Sequence, residues 1–90
     1  MRYTVIYNEQ ALADLTRYWM WASDRKVVTA AANEIERLLK TTPLTCGEET
    51  VTEGSVQFRS LTFGPLKVLF TVSPDDRMVR VFTFRLVSPP

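Results

Sequence analysis

The 90-residue chain contains no histidine, one cysteine, three glycines and a formal net charge of only +1. Without histidine there is no imidazole general base, no Ser-His-Asp triad and no Cys/His structural zinc site. A lone Cys46 forms no internal disulfide, so a reducing cytoplasm is the expected compartment. No stretch reaches the roughly 18 apolar residues of a membrane span, and no membrane partner is expected. Met1-Arg2-Tyr3-Thr4-Val5 opens on a strand-like run that lacks the apolar core of a signal peptide. A net charge near zero gives no global pull toward nucleic acid, so any anion site must come from local clustering.

What is present suits one small globule. Hydrophobic residues make up 46% of the chain and charged ones 23%, too apolar for a disordered tail and too short for a second core. One domain spanning residues 1–90 is expected.

Arg2 to Tyr7 is rich in β-branched and aromatic residues and reads as a first strand. Asn8 stands where a helix N-cap belongs, with Glu9 in the first turn. Leu12, Leu15, Tyr18, Trp19 and Ala22 then recur at helical steps. Ser23 and Asp24 break this helix and cap a second one running through Lys40. Its expected apolar stripe is Val27, Ala30, Ala31, Ile35, Leu38 and Leu39, and Pro43 stops it. Thr41 to Gly54 reads as a connecting loop with a short extended piece around Val51.

After the loop the period changes to two. Ser55–Phe63, Leu66–Ser73 and Met78–Val87 read as three strands, separated by Gly64-Pro65 and by Ser73-Pro74-Asp75-Asp76. The expected fold is α+β in the order β-α-α-β-β-β, a two-helix hairpin packed on one face of a mostly antiparallel sheet. In the Leu66–Ser73 strand, Leu66, Val68, Phe70 and Val72 must meet the helices, leaving Lys67, Leu69, Thr71 and Ser73 on the other side. In the last strand, strict alternation sets Arg80, Phe82, Phe84 and Leu86 against Val79, Val81, Thr83, Arg85 and Val87.

The small net charge hides separated signs. From Val56 onward five cations face two acids, while Glu48, Glu49 and Glu53 crowd the preceding loop. Arg59, Lys67 and Arg85 can form a phosphate patch on the exposed sheet face. The plainer alternative is three solvated cations whose stems cover Leu61, Leu69 and Thr83. Trp19 and Trp21, two residues apart on a helix, do not both face the core; one either lies at a surface contact or packs under the helix-helix turn. Tyr3, Tyr7 and Tyr18 read as core or edge residues. Asp14 with Glu9, and Glu34 with Glu36, read as solvated helix faces rather than catalytic pairs.

The element order and the wording of the strands resemble the RelE/ParE superfamily of type II toxins. The matching pieces are Tyr3-Thr4-Val5-Ile6-Tyr7 leading into Ala11-Leu12-Ala13-Asp14-Leu15, the alanine-rich second helix ending in Leu38-Leu39, and Phe58-Arg59-Ser60-Leu61. Gly64-Pro65-Leu66-Lys67-Val68-Leu69-Phe70-Thr71-Val72 and Met78-Val79-Arg80-Val81-Phe82 complete the match. Each motif is degenerate, and order and spacing together carry the likeness.

The resemblance implies a toxin neutralised by a small cognate antitoxin. In the RNA-cleaving branch it implies a ribosome-dependent mRNA endonuclease, in which Arg59, Lys67 and Arg85 grip phosphate and stabilise the transition state and Arg80 joins them in binding RNA. Lys67 stands where the family usually carries arginine, and so gives up the bidentate fork. The family's basic tail with a tyrosine or histidine for proton transfer is replaced by Leu86-Val87-Ser88-Pro89-Pro90. Acid-base catalysis often contributes roughly 10²–10⁴-fold in rate. The rival readings are therefore a non-catalytic inhibitor of DNA gyrase and a family member that only binds an antitoxin. No cofactor and no metal are implied, and a homodimer is left open.

Overall fold

The computed structural model describes residues 2–87. Its elements are β1 (Thr4–Tyr7), α1 (Glu9–Trp21), α2 (Arg25–Thr41), β2 (Glu48–Glu53), β3 (Val56–Phe63), β4 (Leu66–Ser73) and β5 (Met78–Leu86). The five strands form one sheet in the order β1-β5-β4-β3-β2, with β1 parallel to β5 and every other pair antiparallel. This is the α+β architecture expected, enlarged by one edge strand. β2 occupies much of the stretch expected as a connecting loop, and its six residues are all exposed.

The helix starts follow from capping chemistry. Asn8 accepts the Ala11 amide at 2.8 Å, and Asp24 accepts the Lys26 amide at 3.1 Å. Val28, Ala31, Ile35 and Leu39 of α2 join Leu61, Leu66, Val68, Phe70, Val72, Val79, Val81 and Phe84 in one core. Burying a side chain such as Phe70 contributes about 1.5–3 kcal/mol.

Both helices are rotated from the expected stripes. Val27 lies outside and Val28 inside; on α1, Ala11 and Asp14 are buried while Leu12 and Trp19 face outward. Small Ala11 lets α1 lie close to β5, where β1 has ended and the strand edge is open. There Asp14, expected as a solvated carboxylate, is 2% exposed and accepts from Thr83 Oγ1 at 2.6 Å, Gln10 Nε2 at 2.8 Å and Arg17 Nη2 at 2.8 Å. The Thr83 hydroxyl foremost, with Gln10 and Arg17, holds this carboxyl below the usual range against its burial.

Candidate functional site

One face of the sheet is covered by the helices and the other is open. Residues directly opposed in a sheet share a face, so register assigns each side chain. Lys67 on β4 is opposed by Thr62 of β3 and Arg85 of β5, all three on the open face. Thr71 is likewise opposed by Phe58 and Arg80. Directly opposed Cβ atoms lie about 5 Å apart, so Lys67 and Arg85 can converge on one anion.

Arg80 and Arg85 are an odd number of residues apart, and strict alternation would put them on opposite sides. The register between β4 and β5 steps between Leu69 and Phe70, with Phe82 as the additional residue on β5. This bulge brings Arg80, Phe82 and Arg85 to the open face and leaves Val79, Val81 and Phe84 in the core. Among the described residues, no side-chain hydrogen bond or ion pair engages Lys67, Arg80 or Arg85.

Arg59 lies elsewhere. It is opposed by Phe70, with Leu61 opposed by Val68, so it points to the helix-covered side. The expectation of one exposed patch made of Arg59, Lys67 and Arg85 is thus corrected: two cations meet and the third is on the reverse face. Arg59 is 8% exposed. Its guanidinium donates to the Cys46 carbonyl from Nε at 3.4 Å and Nη2 at 3.2 Å, and to Gln57 Oε1 at 3.0 Å. It ties the segment entering β2 to the sheet. Burial pushes the neighbouring Cys46 thiol up, partly offset by Arg59.

A polar pocket of about 350 Å³ adjoins the Lys67 end of the open face, lined by Gly47, Glu48, Ser60, Leu61, Thr62 and Lys67. Glu48 is opposed by Ser60 and so shares the open face. Sequence reasoning missed this carboxylate because it lay in a presumed loop. Gly47 lets β2 approach: its φ is +68°, and a Cβ there would lie 2.0 Å from the Ser60 carbonyl oxygen. The pocket therefore holds a carboxylate, two hydroxyls and an ammonium, with a guanidinium across the strand. Such a set can accept a proton and hold a phosphate. Among the described residues, no cluster of three or more metal-ligating side chains forms.

A second exposed region lies at the α1–α2 elbow. Trp21 is 70% and Met20 60% exposed, and Trp19 donates its indole N–H to Thr29 at 3.1 Å. Arg17 lies over Trp21 at 5.6 Å and Arg25 over Trp19 at 4.4 Å. A groove of about 290 Å³ runs beside Trp19, lined also by Leu15, Val28 and Ala32. Both tryptophans thus reach the surface. Tyr7 spans from sheet to α2, donating its hydroxyl to Glu36 at 2.8 Å. Burial, then Glu36, drives its phenol pKa upward.

No protein-family model and no curated protein sequence matches the chain. Solved structures do. A chain of the archaeal RelE-RelB complex from Pyrococcus horikoshii OT3 matches with TM-score 0.78 and 14% identity, over 100% of both chains. A chain of the toxin-antitoxin complex RelBE2 from Mycobacterium tuberculosis matches with TM-score 0.73 and 18% identity, over 96% of this chain and 99% of that one. A chain of the chromosomal ParDE system from P. aeruginosa matches with TM-score 0.64 and 13% identity, over 97% and 98%. With five strands, two capped helices and near-complete overlap with these chains, the protein has the RelE/ParE-like toxin fold.

Proposed function

We propose that the chain is the toxin of a type II toxin-antitoxin pair, acting in the cytoplasm as a ribosome-dependent mRNA endonuclease. The observation that carries this reading is the Lys67–Arg85 pair on the open face, unengaged by protein and adjoining the pocket that holds Glu48. Arg85 offers a planar fork to phosphate oxygens and Lys67 a point charge. Between them they stabilise the charge that grows as a ribose 2′-hydroxyl attacks the adjacent phosphorus. Glu48 takes the hydroxyl proton, and the departing 5′-oxygen takes one from solvent on this open face. The products are a 2′,3′-cyclic phosphate and a 5′-hydroxyl. A carboxylate of the edge strand thus serves as the base. Ser88–Pro90, on which the expected departure from the family's tail falls, lie outside the described residues.

A small antitoxin is the expected partner, as the three similar structures come from toxin–antitoxin assemblies. The elbow, apolar at Met20 and Trp21 and cationic at Arg17 and Arg25, suits an amphipathic segment with acidic flanks.

The test is induction in cells, followed by mapping of cleaved transcripts. Wild type arrests growth and cuts messenger; Lys67→Met and Arg85→Met fold normally by circular dichroism and each lower cleavage by about 10²-fold. Arrest with intact messenger would overturn the endonuclease reading, and a supercoiling assay would then ask whether gyrase is inhibited. Unimpaired growth would overturn the toxin reading.

A further inference from the structure

The open face carries an aromatic feature that phosphate chemistry leaves unused. Phe58 of β3 and Phe82 of β5 come from strands separated by β4, yet their rings lie nearly parallel, 17° between planes and 6.4 Å between centroids. They flank Thr71 of β4, which is 7% exposed although it belongs to the open side. That centroid distance is well beyond the roughly 3.7 Å of two rings in full face-to-face contact, so the pair is not closed tightly on itself. Phe82 remains 38% exposed.

Phe82 shares the side of Arg80 by alternation and is the additional residue at the bulge that brings Arg85 to the same face. The row Phe58–Thr71–Arg80 and the row Thr62–Lys67–Arg85 are four residues apart along β4, roughly 14 Å at 3.4 Å per residue. A cation, a pair of rings and a cation pair thus share one surface. The core lies on the other side of the sheet, so the rings are not needed to complete it. Cations alternating with exposed aromatics suit a single strand, whose bases are free to stack, and not a duplex, whose bases are stacked already.

We propose that Phe58 and Phe82 form a stacking platform for an unpaired base of single-stranded RNA, whose backbone is held by Arg80 on one side and by Lys67 with Arg85 on the other. This deepens, and rests on, the RNA-cleaving reading. Because every base has a π-face, the platform is tolerant of base identity.

The test is an NMR titration of the full chain at low salt with two probes, pentauridylate and an abasic RNA oligomer of the same length. The ring protons of Phe58 and Phe82 shift upfield with pentauridylate and not with the abasic oligomer. Phe82→Leu keeps an apolar cover over Thr71, weakens pentauridylate binding between about 5- and 100-fold, and leaves the abasic oligomer within about twofold. Phe82→Tyr keeps the π-face and binds as wild type. If Phe82→Leu binds both probes as wild type does, the platform is overturned while the RNA reading stands. If wild type binds neither probe and cuts no messenger, the RNA reading fails and the platform with it.

Discussion

The two sides of this sheet treat a cation in opposite ways. On the helix-covered side, Arg59 is bound on three nitrogens by the Cys46 carbonyl and Gln57. On the open side, Lys67, Arg80 and Arg85 have no protein partner among the described residues. A charge enclosed with few waters must be matched by the protein itself, so Arg59 is structural. A charge left in water on a flat face costs little and stays available to a ligand. Residue type alone does not separate the two environments; side of the sheet does.

The contrast can be broken hardest where the open side is assembled. Gly47→Ala forces a Cβ onto the Ser60 carbonyl at a left-handed backbone position. Clash and strain together cost about 4 kcal/mol, read as a lower urea midpoint. Because Gly47 leads into Glu48, surviving folded protein should also cut RNA less. Loss of stability with cleavage per folded molecule unchanged would remove Glu48 from the site.

Asp14 tests the seam where α1 replaces β1 along the edge of β5. Asp14→Ala leaves Thr83 and Gln10 without their acceptor and is expected to cost about 3 kcal/mol at neutral pH. The pH dependence has a definite sign. The folded carboxyl is held below its ordinary value of 3.8, so its stabilisation is complete above that value and is lost as pH falls through the lower folded one. Denaturation of wild type and Asp14→Asn near neutrality and in acid well below that ordinary value should show the gap closing as pH falls. A constant gap would mean that the charge of Asp14 is not what the network recognises.

Much of the fold was legible because it is written locally. The caps at Asn8 and Asp24, the Gly64-Pro65 turn and the period-two run of Leu66–Ser73 each carry their own signal. The candidate site was less legible, because long-range register decides it. Alternation puts Arg59 on the same side of its strand as Leu61, but only pairing with Phe70 and Val68 says that this side faces the helices. Nothing within Val81-Phe82-Thr83-Phe84 announces a bulge, yet the bulge unites Arg80 with Arg85. β2 has no buried side and so no apolar alternation; its only trace is the β-branched run Thr50-Val51-Thr52. Asp14 looked solvated because its partner Thr83 is 69 residues away.

The smallest expected effect is also the sharpest comparison of the two faces. Arg59→Met keeps the apolar stem against the core but deprives the Cys46 carbonyl of its donors. Removing a buried guanidinium also removes the cost of burying it, so the net loss should be about 1 kcal/mol. Messenger cleavage per folded molecule should be unchanged. Lys67→Met should do the reverse, leaving the urea midpoint where it was and lowering cleavage. If Arg59→Met instead abolishes cleavage at full stability, the guanidinium reaches substrate from the helix-covered side, and side of the sheet no longer sorts structural cations from functional ones.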